Sequence, residues 1–173
     1  MSRFKTRHKL IFSLILFLAI GFLIPENFNI PVEGANSKSY HPNSYWYYPW
    51  GKSGTHKGVD IFAKQGTPVI ASTSGIVLYT GNILLGGNVV LLLGPKWKVH
   101  YFAHLENIST SSFSCLSVGE KLGTVGTTGN AIGKQPHLHY SIVTLIPYVW
   151  RIDGSQQGWK KMFYLNPIDS FKR

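Results

Sequence analysis

Two hydrophobic patterns divide the chain. From Leu10 to Ile24 (LIFSLILFLAIGFLI) the residues are apolar except at Ser13 and Gly21, and no polar position recurs at helical spacing. Arg3, Lys5, Arg7 and Lys9 precede the run, and Pro25-Glu26 closes it. A helix packed in a soluble core would keep a polar face. This pattern instead predicts a signal peptide or an uncleaved N-terminal membrane anchor over residues 1–25, with its basic end inside the cell. The run is long for a signal core and short of the ~20 residues that span a bilayer comfortably, so both fates stay open. Candidate cleavage points follow Gly21 and Ala35. Either fate exports the remainder, to the periplasm, cell envelope or cell wall.

The second pattern begins further on. Residues 26–47 are rich in Asn, Ser, Pro and Gly and are expected to be a linker. Short β-branched and aromatic segments punctuated by glycine follow, predicting strands over Val59–Phe62, Pro68–Ser72, Gly75–Tyr79, Asn88–Leu93, Lys98–His104, Lys121–Val125 and His137–Val143. Gly86-Gly87-Asn88 and Gly94-Pro95-Lys96 supply turn chemistry between them. No amphipathic helix of useful length and no repeat is visible after residue 25. The expectation is an all-β domain over residues 48–173, preceded by one hydrophobic helix. The aromatic cluster Tyr45 to Trp50 reads as an apolar flap over a sheet edge or as one wall of a substrate groove.

Composition narrows the partners. The chain carries +10 over 173 residues, and from Pro25 onward thirteen basic residues meet seven acidic ones. A basic surface suits anionic polymers or lipid. No basic cluster is interleaved with stacking aromatics, which disfavours nucleic acid. Cys115 is the single cysteine, so neither an intramolecular disulfide nor an all-cysteine metal site is available. It is expected to be a small, mostly buried residue.

The chemistry lies in the histidines. His8 belongs to the leader and His41 to the linker, leaving His56, His100, His104, His137 and His139 in strand-rich sequence. His56-Lys57-Gly58-Val59-Asp60 places an imidazole and a carboxylate on one face of extended chain, with Gly58 between them. His137-Leu138-His139 puts two imidazoles on one strand face. His104 ends an apolar strand, and His100 shares its face by alternation but is read as structural. Singly, each motif could be ordinary surface or core histidine. Together they offer two ligands from His-x-x-x-Asp and one from His-x-His, which suits zinc with three protein ligands and one open position. Two histidines are left for proton transfer. With no His-Glu-x-x-His segment, acid–base work falls to histidine, whose pKa lies nearest neutrality.

These segments resemble a known family. HKGVDIFAKQGTPVIASTSGIVLYTG, YFAHL and VGEKLGTVGTTGNAIGKQPHLHY, with a closing LNPID, are similar in order and spacing to the lysostaphin/LytM-like zinc metallopeptidases. The resemblance runs from about Tyr48 to the C-terminus. It implies an antiparallel β-sheet with a groove and one zinc ion on its floor, held by His56, Asp60 and His139, with His104 and His137 as the catalytic pair. It also implies hydrolysis of peptidoglycan peptides, either interpeptide bridges or stem-peptide cross-links. Two features depart from the family pattern. Tyr140-Ser141 stands where an aromatic followed by Glu is common, and Leu145 to Tyr164 is unusually aromatic and basic.

Two rival functions follow from the same residues. One is a catalytically silent LytM-like module that regulates other wall hydrolases. The other is a cysteine peptidase built on Cys115 and a histidine.

Overall fold

The structure is a computed structural model that describes residues 2–172, with side chains from Arg7 onward. Helix α1 (Ser2–Leu23) is followed by nine strands: β1 (Val59–Phe62), β2 (Pro68–Ile70), β3 (Gly75–Ile83), β4 (Gly87–Gly94), β5 (Lys98–Ile108), β6 (Cys115–Leu116), β7 (Lys121–Val125), β8 (His137–Thr144) and β9 (Tyr164–Leu165). A last short helix, α2 (Pro167–Phe171), ends the fold. Asn166 caps it, its side-chain oxygen accepting from Ile168 N at 3.1 Å, with Pro167 at the first helical position.

All strand pairs are antiparallel and belong to one sheet, ordered β1-β8-β5-β4-β3-β6. β7 joins β5 to β2, and β9 adds to β8. This is the expected mostly antiparallel fold. The seven expected strands are all present, with β3 and β5 running further than the pattern indicated. β6 and β9 are too short to show a period.

Alternation assigns the two faces. Val59 and Ile61 of β1, Leu138, Tyr140 and Ile142 of β8, and Phe102 of β5 are buried in one core with Val90 and Leu92 of β4. The intervening Asp60, His139, Tyr101 and Ala103 face the groove on the opposite side. Burial on one face locks the register, because a one-residue slip would exchange core and groove residues.

Residues 26–47 are part of this domain, which corrects the linker expectation. Val32 is 2% exposed within the core, with Phe28, Ile30, Ala35 and Tyr40 packed against it. The segment adds to β2: Val32 bridges Val69, and Ile70 N donates to the Pro31 carbonyl at 3.1 Å. Asn, Ser and Pro are frequent there because the segment pairs irregularly, while its few apolar side chains carry the packing. Glu26 anchors its start through Lys98, whose Nζ lies 2.6 Å from Oε2.

α1 rests against the turn between β4 and β5. Trp97 Nε1 donates to the Leu18 carbonyl at 2.9 Å, and the Phe17 and Trp97 rings lie 4.8 Å apart. The apolar side chains of Leu10, Phe12, Leu14 and Ile15 are exposed. Among the described residues, no helix is long and apolar enough to cross a membrane.

Candidate metal centre

The site is assembled where β1, β8 and β5 lie side by side. Asp60 on β1 pairs directly with His139 on β8, and His139 pairs with Ala103 on β5. Directly opposed residues bring side chains within reach of one another. The methyl group of Ala103 leaves the space above β5 open. His56 precedes β1 and turns back over it, so that its Nε2 lies 3.1 Å from Asp60 Oδ1 and 3.1 Å from His139 Nδ1. His139 Nδ1 and Asp60 Oδ1 close the triangle at 2.8 Å.

The donor chemistry of this triangle suits a cation. His56 Nδ1 donates to the Ser44 carbonyl at 2.9 Å, which leaves its Nε2 as a bare lone pair facing the triad. His139 Nε2 lies 3.1 Å from Ser141 Oγ, and with the serine oxygen accepting, Nδ1 is likewise bare. Two lone pairs and a carboxylate oxygen therefore converge with no hydrogen between them. Ligands of tetrahedral zinc at ~2.0 Å stand about 3.3 Å apart, close to the spacing seen. His56, Asp60 and His139 form a group that could hold a metal ion.

Hydrogen bonds to the outer nitrogens of ligand histidines set tautomer and ring orientation. Ser141, one of the two departures from the family pattern, supplies that bond to His139. Gly58 makes the approach possible, because a Cβ there would overlap Ser141 Oγ and the Tyr140 carbonyl. The His56 ring is also stacked under Trp50, with centroids 4.2 Å apart.

Burial by itself pushes the Asp60 carboxyl up, but contact with the His139 and His56 rings outweighs it and holds Asp60 well below the usual carboxylate range. Burial lowers the pKa of His139, against the opposing pull of Asp60. His104 is lowered to about 4, first by burial and then by the neighbouring His139 and His137.

His104 and His137 stand beside the triad. Their ring centroids are 5.1 Å apart, and His104 lies 6.0 Å from His139. Both carry the same tautomer lock. His104 Nδ1 donates to the Thr128 carbonyl at 2.9 Å and His137 Nδ1 to the Gln135 carbonyl at 2.7 Å, so each keeps Nε2 free for proton exchange. The structure thus brings all five sequence-selected residues to one groove of about 540 Å³.

His104 reaches the groove by breaking strand alternation. Tyr101 and Ala103 already face it, so His104 belongs by period to the core side with His100 and Phe102. Its φ of 64° turns the backbone into the left-handed region at a register shift of the β4–β5 ladder, and two consecutive side chains emerge on one face. His100 does not share the face of His104, contrary to the alternation argument. It is fully buried in the core, its Nδ1 2.6 Å from Tyr140 Oη and 3.1 Å from Ser72 Oγ.

Residues 54–150 match the sequence profile of Peptidase family M23. The chain belongs to that family. Among relatives of this M23 chain, DD-carboxypeptidase/endopeptidase Mpg of Neisseria meningitidis is 39% identical over 85 residues, covering 49% of the chain and 19% of that protein. Murein hydrolase activator NlpD of Salmonella dublin is 30% identical over 120 residues, covering 64% of the chain and 31% of that protein. The chain therefore spans well under half the length of either relative. The catalytic domain of the antimicrobial peptidase lysostaphin from Staphylococcus simulans superposes with a TM-score of 0.59 at 27% identity, covering 75% of this chain and 90% of that one.

Several participants in the M23 groove carried no sequence signal. Ser44, Thr128 and Gln135 act through backbone carbonyls, which any residue supplies. Of the aromatic cluster, Trp46 is buried beside Tyr164, whereas Trp50 lines the groove. The segment Leu145 to Tyr164 supports the same wall: Trp46 Nε1 donates to the Gln156 carbonyl at 3.0 Å and Gln157 Nε2 to the Ser53 carbonyl at 3.2 Å.

Cys115 is exposed, correcting the expectation of burial. It lies on β6, at the far end of the sheet from β8, and no histidine lines the pocket beside it. The cysteine-peptidase rival loses its partner.

Proposed function

We propose that this chain is a zinc metalloendopeptidase that hydrolyses peptide bonds in bacterial peptidoglycan outside the cytoplasmic membrane. The observation that carries the reading is the triangle of His56 Nε2, Asp60 Oδ1 and His139 Nδ1, with edges of 2.8 to 3.1 Å, opening onto a groove that also holds two tautomer-locked histidines. Relatives named as peptidoglycan DD-endopeptidases support the substrate class. The apolar run of α1 after a basic start supports export, as a cleaved leader or as an anchor.

His56, Asp60 and His139 would hold the zinc. When bound, zinc acidifies a water and polarises the scissile carbonyl. The rest of the chemistry belongs to side chains of this chain. Nε2 of His104 and of His137 face the same space, so one accepts the proton from the attacking water and returns it to the leaving amine. The other ring donates to the oxygen that gains negative charge once its Nε2 carries a proton. Their Nδ1 bonds to the Thr128 and Gln135 carbonyls keep both rings from rotating away. Trp50 packs over His56 and reduces water access to the ligand.

The second reading is a catalytically silent module that regulates other wall hydrolases; the NlpD relative is named a murein hydrolase activator. All five residues of the groove are in place here, which favours catalysis. Release of soluble fragments from purified peptidoglycan, abolished by a chelator and restored by zinc, tests the choice. A metal-loaded, folded chain that releases nothing leaves the silent module.

A further inference from the structure

Lysines border the groove around the triad, and among the described residues its lining contains no carboxylate other than Asp60. Lys52 and Lys57 come from the loop before β1, and Lys134 from the loop before β8. Asp60 is already engaged by both imidazoles. Glu106, on β5, is turned to Gln65 Nε2 at 2.8 Å and does not line the groove. Lys57 Nζ donates to the Ser53 carbonyl at 2.9 Å, which keeps it at the rim, while Lys52 and Lys134 are exposed. The substrate channel is therefore a one-sign field with low-dielectric walls, an arrangement that concentrates the opposite charge.

We propose that the groove selects anionic peptides, with Lys52 and Lys134 receiving free carboxylates that flank the scissile bond. The inference rests on the peptidase reading and distinguishes two substrates that share the same peptide chemistry. An oligoglycine bridge has no side-chain charge for the lysines to meet. A cross-linked stem peptide with free carboxylates on either side of the bond would fit a basic groove. Two solvent-exposed lysine–carboxylate pairs together contribute about three- to tenfold in affinity. The effect weakens as salt rises, because exposed charges are screened.

The test uses two synthetic cross-linked stem-peptide dimers, identical except that the carboxylates of one are converted to carboxamides, with an oligoglycine peptide as a third probe. Binding and cleavage are both measured on the zinc-loaded chain. The acidic dimer is expected to bind about three- to tenfold more tightly than its amide. The preference should shrink at roughly 0.5 M salt. It should vanish in the Lys52→Gln/Lys134→Gln double variant, with zinc content and melting temperature retained. Equal binding of the two dimers, tighter binding of oligoglycine, or a preference unchanged in the double variant overturns the proposal. If a probe is still cut, the peptidase reading survives that result. Preferential binding of the acidic dimer with no cleavage of any probe keeps the anionic groove and removes the peptidase reading instead.

Discussion

Asp60 and His139 face each other directly across the β1–β8 ladder, with Oδ1 2.8 Å from Nδ1. Their pairing is set by strand register, so the core that fixes the register also sets the ligand spacing. His56 joins them from a loop and depends on the Ser44 carbonyl for its orientation.

Removing a ligand and removing a proton carrier should separate metal from chemistry. His139→Ala is expected to lose both zinc and hydrolysis. His104→Ala keeps zinc at full stoichiometry and loses about 10²- to 10⁴-fold in rate. Metal analysis of the purified variants, alongside fragment release, reads both. Full zinc in the His139 variant contradicts the assignment.

The outer bond to His139 should tune metal affinity without being required for it. Ser141→Ala removes the acceptor of His139 Nε2 and is expected to weaken zinc binding about 10- to 100-fold. Gly58→Ala forces Ser141 and the Tyr140 carbonyl apart and should weaken it at least as much. Competition with a chelator of known affinity measures both. An unchanged affinity in Ser141→Ala removes the role given to the serine.

The segment before Trp46 should behave as part of the domain. Val32→Ala deletes two methyl groups from a position 2% exposed and is expected to cost about 2 kcal/mol in chemical denaturation. A chain starting after Ala35 should unfold at far lower denaturant than one starting at Ile24. Equal midpoints would falsify the claim that these residues belong to the core.

His100 should make the fold acid-sensitive. Burial, helped by Lys98, lowers its pKa from 6.5 to about 3. Above pH ~6.5 the histidine is neutral in folded and unfolded chains, and the stability it permits is fully present. As pH falls from ~6.5 toward 3, the unfolded chain takes up the proton first and stability is lost. The comparison is with His100→Gln on metal-free protein. The variant's urea midpoint should fall less between pH 7 and about pH 4.5 than that of the wild type. Parallel curves remove the effect.

Much of the candidate site was visible in the chain because strand period is short and rigid. His137 and His139 bracket Leu138 on β8, so alternation places that pair on one face whatever the rest of the fold does, whereas His56 precedes β1 and meets Asp60 through a loop held by the Ser44 carbonyl. The resemblance then ordered the motifs. The same rule failed at His104 and His100: a left-handed residue at a bulge reverses the facing, and no spacing announces a positive φ on a histidine. The polar-rich stretch 26–47 misled for a related reason, since its composition describes solvent-facing positions while Phe28, Ile30 and Val32 do the packing.

The residue types, and the shared facing of His137 and His139, were thus properties of the sequence, as were the short alternating strands and one apolar N-terminal run. Tertiary structure decided which nitrogens stay bare, because that depends on carbonyls of Ser44, Thr128 and Gln135 brought from distant segments. It also decided that Ser141 supports His139 and that Cys115 has no histidine beside it. Those relations arise from backbone atoms and through-space neighbours, which carry no side-chain identity that a linear pattern can record.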